Sequence, residues 1–359
     1  MIIHSFQILQ EASHKMLKIM ASALMLLTFA SMAMAADIED FKDDTRVFKI
    51  DQTITVKKAH FHNRYGIDLT GDLYLPAGFD SAKKYAGIAV AGPFGAVKEQ
   101  VSGLYAQEMA KAGFVAVAFD PSFTGESGGA ARYVSSPEIN TEDFSAAIDF
   151  LMTRDFIDPE RVGIIGVCGW GGIGLNAAAA DTRIKASVIS TMYDMSRVAR
   201  NGYFDSADSA EARYQAKKAM NDQRIKDYTS GTYARAGGVV DPLPEDAPQF
   251  VKDYYAYYKT PRGYHKRSLN SNEGWNVTAG LAMINMPMLT DIEDIRSAVL
   301  VIHGEKAHSR YLGEDAFKRL KGDNKELMII SGASHCDLYD NMNAIPFAKI
   351  VDFMNTYLK

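Results

Sequence analysis

The chain has 359 residues, of which 47% are hydrophobic and 23% charged, the make-up of a globular protein long enough to bury a large core. Its formal net charge is −5, and no basic run of the kind that grips phosphates occurs, which argues against a nucleic-acid partner. There are only two cysteines, so this is not a disulfide scaffold.

Taken from the N-terminus, residues 16–35 read MLKIMASALMLLTFASMAMA. A lysine, an apolar run shorter than the ~20 residues a span requires, and Ala33-Met34-Ala35 make up a secretory signal. Met16 is the expected start, Ala36 the expected mature N-terminus, and a bacterial periplasm the expected location, with no stable membrane anchor after signal removal. VFKIDQTITVKKAHF and IDLTGDLYLP alternate apolar and polar residues and predict antiparallel strands. YAGIAVAG, GFVAVAFD, RVGIIGVC, IKASVIST, AVLVIHG and ELMIISG are apolar throughout, as expected of strands buried on both faces of a parallel sheet. Helical patterns separate them: QVSGLYAQEMAKAG, TEDFSAAIDFLMTR, GGIGLNAAAA, EDAFKRLKG and PFAKIVDFMNTYL. The alternation predicts an α/β domain with a doubly wound, mostly parallel sheet. Its first part spans 36–192 and its second 295–359. Residues 193–294 lack a buried-strand pattern and are expected to form a helical cap.

Ligands of open α/β sheets bind beyond the carboxyl ends of the strands. Cys168 follows RVGIIGV between two glycines, His335 follows ELMIISGAS, and Glu305 and His308 follow AVLVIHG. The order nucleophile, acid, histidine is that of an α/β-hydrolase triad. Cys168 is the expected nucleophile, His335 its base and Glu305 the carboxylate orienting the imidazole, with Asp194 as the alternative acid. Backbone N–H groups of Gly169 and of Phe94 or Gly95 are expected to hold the oxyanion. A helix N-terminus and a histidine partner are expected to lower the pKa of the Cys168 thiol.

The motifs GPFGAVKEQ, AFDPSFTGESGG, GVCGWGG, TMYDMSR, HGEKAHSRY and GASHCDLYD occur in this order along the chain. In these it resembles the dienelactone-hydrolase-related branch of the α/β hydrolases. That resemblance implies hydrolysis of a small-molecule ester, lactone or thioester through a cysteine, with no metal or organic cofactor. The chain departs from the pattern twice. Trp170 stands where the elbow usually has glycine, so its indole either narrows the elbow or packs beneath it. Ala307 stands where many relatives place the aspartate.

Several readings remain open at this level. An acyltransferase would use the same triad, and a non-catalytic binding protein would keep the fold alone. Cys168 is otherwise a structural thiol, or pairs with Cys336. GESGGAAR, with Glu126 and Arg132, is either an active-site loop or a glycine-rich turn. His60 and His62 share one strand face without a third metal ligand nearby. Tyr254, Tyr255, Tyr257 and Tyr258 lie at helical spacing, expected mostly to pack the cap, with one or two walling an acyl pocket.

Overall fold

A computed structural model describes residues 37–359; the expected export segment, 1–35, lies outside the described residues. Phe41–Lys359 forms one compact unit, and the description that follows is of that unit. Eight strands build it: β1 (Thr55–His62), β2 (Asp68–Leu75), β3 (Tyr85–Ala91), β4 (Val115–Phe119), β5 (Ile157–Val167), β6 (Ala186–Ser190), β7 (Ala298–Gly304) and β8 (Lys325–Ile330). They lie in the order β1-β2-β4-β3-β5-β6-β7-β8. β1 and β4 both run antiparallel to β2, and every pairing from β4 to β8 is parallel.

The apolar runs sit where their composition puts them. β4, β6 and β7 are buried at every residue, covered on both faces. β8 differs: all six of its residues are only half-buried, because an edge strand has a single neighbour. Val47–Ile50, expected to continue the first strand, is not a strand; Phe48 and Ile50 instead pack against the core from a loop. The flanking helices are α1 (Val101–Lys111), α2 (Pro137–Met152) and α3 (Gly169–Ala180). α2 starts where Ser136 caps it: its hydroxyl accepts from the Ile139 N–H at 3.3 Å, with Pro137 in the first turn.

Between β6 and β7 stand α4 (Met195–Asn201), α5 (Ala210–Ser230), α6 (Gln249–Tyr258) and α7 (Gly280–Asn285). After β7 come α8 (Arg310–Arg319), the single turn α9 (Asp337–Asp340) and α10 (Phe347–Tyr357). Ile350, Phe353 and Met354 of α10 are buried. Their i, i+3, i+4 spacing is the stripe that seals one face of the sheet.

Candidate active site

The site is built at the carboxyl end of β5. Cys168 takes φ +60° and ψ −125° between the strand and α3, a conformation that costs a non-glycine residue on the order of 1–3 kcal/mol. Three backbone bonds hold it there. The Cys168 N–H donates to Ser190 O, and the Cys168 carbonyl accepts from the N–H of Gly171 and of Tyr193, each at 2.9 Å. The neighbours must be small. A Cβ on Gly172 would lie 2.1 Å from the Tyr193 carbonyl oxygen, and one on Gly166 would lie 2.2 Å from that of Trp170.

The tight corner therefore runs over Gly166, Gly171 and Gly172 and leaves Trp170 free to point the other way. Its indole is buried beneath the elbow, edge-on to Phe119 and Phe144 with ring centroids 5.7 and 5.4 Å away. The elbow keeps its shape without glycine at 170.

The Cys168 sulfur faces the backbone N–H groups of Gly169 and Phe94 and the hydroxyl of Tyr339. Phe94 is aimed by the segment between α6 and α7. The Gly95 carbonyl accepts from the N–H of Leu269 at 2.8 Å and the hydroxyl of Ser268 at 3.0 Å, and the Phe94 carbonyl accepts from Asn270 Nδ2 at 2.8 Å. With those carbonyls turned toward Ser268–Asn270, the Phe94 N–H points at the sulfur. The Phe94 ring stacks on Trp275 at 4.3 Å. Below the same loop, the ammonium of Lys98 is fully buried and donates to Glu99, Asp120 and Glu126 at 2.9, 3.0 and 2.6 Å. Glu126 thus braces the loop from beneath. Arg132 donates to the carbonyls of Gly125 and Gly128 at 2.9 and 3.1 Å. Neither residue lines the cavity at Cys168.

His335 is buried. Its Nδ1 lies 2.7 Å from Ser309 Oγ and 2.9 Å from Thr191 Oγ1, and its Nε2 lies 3.2 Å from the Tyr339 hydroxyl. Two expectations are corrected here. Glu305 does not orient the imidazole: it is exposed, and its carboxylate accepts from the Gly332 N–H at 2.7 Å and the Ser331 hydroxyl at 3.1 Å. Asp194 caps α4, accepting from the Arg197 N–H and the Ser196 hydroxyl at 2.9 and 2.6 Å. Among the described residues, no carboxylate is hydrogen-bonded to His335; two hydroxyls hold its Nδ1 instead.

The expected low thiol pKa is corrected as well. Burial pushes the Cys168 thiol up to about 11, against the smaller opposing pull of the Tyr339 hydroxyl and the two N–H groups. Burial, with His308 and His303 nearby, holds His335 well below the usual histidine value. A buried site disfavours both charged forms, so thiol and imidazole rest as a neutral pair. Both cysteines are buried and free, with no disulfide.

Cys168 opens into a cavity of about 240 Å³ whose walls include Phe94, Tyr193, Tyr254, Tyr258, Trp275 and Tyr339. No lining residue carries a charge at neutral pH. Of the four α6 tyrosines, Tyr254 and Tyr258 line the cavity, and Tyr257 packs edge-on to Tyr339 at 5.1 Å. Tyr254 and His308 both hydrogen-bond the Tyr193 hydroxyl. Among the described residues, no group of three or more His, Cys, Asp and Glu side chains is placed to hold a metal ion.

Residues 65–337 match the X-Pro dipeptidyl-peptidase (S15) family. The chain belongs to that family. It is 50% identical over 314 residues to the uncharacterized protein PA2218 of Pseudomonas aeruginosa, covering 87% of this chain and 84% of the relative. The crystal structure of that protein superposes with a TM-score of 0.85 over 89% of this chain and 99% of the other, at 49% identity. The uncharacterized protein YcjY of Escherichia coli K12 is 34% identical over 77% of this chain and 90% of its own length. The thiohydrolase aneE of Aspergillus aculeatus is 35% identical over a shorter stretch, 36% of this chain and 40% of that protein. The α/β hydrolase GrgF from Penicillium sp. sh18 shares the fold at a TM-score of 0.68 and 16% identity, over 85% of this chain and 99% of the other. This member of the S15 family is a hydrolase with the α/β-hydrolase fold.

Tyr339, Ser309 and Thr191 escaped the sequence reading. Each stood inside a quoted motif: Thr191 opens TMYDMSR, Ser309 lies two places after Ala307, and Tyr339 stands four after His335 on α9. The strand-end rule points to those segments, but it cannot rank a hydroxyl above a carboxylate.

Proposed function

We propose that this protein hydrolyses a small ester or thioester through a covalent acyl-enzyme on Cys168. The observation that carries the reading is the strained Cys168 turn, its sulfur set under two convergent N–H groups in an uncharged aromatic cavity. Sγ attacks the carbonyl carbon as its proton leaves for His335, and the Gly169 and Phe94 N–H groups stabilise the oxyanion. The imidazolium returns the proton to the departing alcohol or thiol. Water, deprotonated by His335, then attacks the acyl-sulfur bond and releases the acid, restoring the thiol.

The lining favours an ester-type bond over the peptide bond suggested by the family description. A dipeptidyl substrate brings an ammonium group, and the cavity offers it no carboxylate. Thiohydrolase aneE, with its 35% identity over part of the chain, also supports acyl-sulfur chemistry. Use of a cysteine as in dienelactone hydrolases, and export to the periplasm on residues 16–35, belong to the same proposal.

Intact-protein mass spectrometry after brief exposure to short-chain p-nitrophenyl esters tests it, with Cys168→Ala beside the wild type and an X-Pro p-nitroanilide as competitor substrate. An acyl adduct on the wild type alone, with no p-nitroaniline released, supports the proposal. No adduct and no p-nitrophenol from reduced protein sinks it.

A further inference from the structure

Among the described residues, the hydrogen-bond partners of the His335 imidazole are Thr191, Ser309 and Tyr339, and those of the Cys168 thiol are Tyr339, Gly169 and Phe94, so no direct bond joins the two. The Tyr339 hydroxyl lines the same cavity as Cys168, where it is a hydrogen-bond partner of the thiol, and its oxygen lies 3.2 Å from His335 Nε2. We propose that Tyr339 is a catalytic residue that relays the proton between Cys168 and His335. This inference rests on the covalent reading above and adds the route the proton takes.

The phenol is built to stay between its two partners. Tyr339 is fully buried. Its ring is met edge-on by Tyr257 at 5.1 Å, Tyr258 at 6.2 Å and His335 at 5.4 Å. Its backbone N–H donates to the Cys336 carbonyl at 3.1 Å, anchoring α9 one turn beyond the histidine. A hydroxyl has one proton to give and lone pairs to receive, so a single phenol serves both neighbours at once. Nδ1 is engaged by Ser309 and Thr191, leaving Nε2 as the imidazole atom that meets Tyr339.

The step balances without a further reactant. As the C–S bond forms, the thiol proton passes to the Tyr339 oxygen while the Tyr339 proton passes to Nε2. The products are a sulfur bonded to the acyl carbon, a neutral tyrosine and an imidazolium. When the acyl group later leaves, the sulfur recovers a proton from Tyr339, which is resupplied by His335. Burial raises the Tyr339 phenol well above its ordinary value, so a free phenolate does not accumulate and the two transfers move together.

The test compares wild type, Tyr339→Phe, Cys168→Ala and His335→Ala on p-nitrophenyl acetate, with the thermal midpoint recorded for each. Tyr339→Phe keeps the ring and is expected to lose kcat by about 100-fold with little change in KM, the scale of one general acid–base contribution. Rates in H2O–D2O mixtures are expected to bow downward in the wild type, with two protons in flight, and to be linear in Tyr339→Phe. Tyr339→Phe at more than half the wild-type kcat, with Cys168→Ala inactive, overturns the relay and leaves the covalent reading standing. Activity retained in Cys168→Ala overturns the covalent reading itself. Should Tyr339→Phe not fold, 3,5-difluorotyrosine at position 339 takes its place. A pH–rate profile displaced by the more acidic phenol supports the relay, and an unchanged profile overturns it.

Discussion

Ser309 Oγ lies 2.7 Å from Nδ1 of His335, and Thr191 Oγ1 lies 2.9 Å from the same nitrogen. A neutral hydroxyl pair thus fills the place where a carboxylate would steady an imidazolium. A carboxylate there would have to be desolvated beside a neutral ring, at a cost of several kcal/mol. The hydroxyls fix the ring and leave it uncharged at rest. Ser309→Ala should lower kcat/KM by about 10-fold, and Ser309→Ala with Thr191→Val further, about one hydrogen bond's worth for each. Glu305→Gln should stay within about twofold of wild type, because the carboxylate serves only the Ser331–Gly332 turn. Steady-state kinetics on one p-nitrophenyl ester decides the matter; a large loss in Glu305→Gln alone would restore the carboxylate triad.

The resting thiol should be a slow nucleophile toward simple alkylating agents. With Cys168 pushed up to about 11, the thiolate fraction at neutral pH is small. It should grow about tenfold per pH unit as the pH rises toward that value. Iodoacetamide alkylation followed by peptide mapping in a Cys336→Ala background reads Cys168 alone. A rate that is already level at neutral pH would mean a preformed thiolate–imidazolium pair, contrary to this arrangement.

His303 links stability to acid. It is fully buried on β7 with neither ring nitrogen hydrogen-bonded, and burial holds it down at about 3. In the unfolded chain the same group titrates near its ordinary value of about 6.5. Below that pH the unfolded chain takes up a proton that the fold refuses. Stability should therefore fall as the pH drops from about 6.5 toward 3, by at most about 1.4 kcal/mol per unit from this residue. Asp143, raised to about 6, pulls the other way across part of that range. The comparison with His303→Leu isolates the histidine. Urea unfolding between pH 7.5 and 4.5 should show wild type losing ground to the variant as the pH falls; a constant gap would refute the assignment.

Trp170 is a core residue rather than a site residue. Its contacts are with Phe119 and Phe144, away from the cavity. Trp170→Ala should cost about 3–5 kcal/mol in denaturant unfolding. Trp170→Phe should cost less, and its kcat per folded molecule should remain within about threefold of wild type. A stable Trp170→Phe protein with lost turnover would place the indole in the mechanism after all.

The loop that carries Phe94 depends on a buried ammonium. Lys98→Met removes the cation shared by Glu99, Asp120 and Glu126 and strands carboxylates beneath the loop that carries Phe94. Breaking such a cluster costs about 3–5 kcal/mol. A thermal midpoint within error of wild type would show that the cluster does not hold the loop.

The sheet, the order of its strands along the chain and the interruption between β6 and β7 were legible in the sequence, because burial on both faces demands apolar residues at every position of a strand. The placement of Cys168 and His335 was legible for a related reason: each follows an apolar run whose end must emerge at the same edge of a parallel sheet. Periodicity and composition report what a residue's surroundings must be, and they determined that much. They do not report direction within a loop. Only the tertiary structure decided that Glu305 turns outward to Gly332, that Ser309 and Thr191 converge on Nδ1 from loops after β7 and β6, and that Trp170 lies beneath the elbow. The neutral state of the thiol and imidazole was decided there too. Burial is a property of the packed whole, and desolvation there outweighs the hydrogen bonds that local sequence would lead one to count.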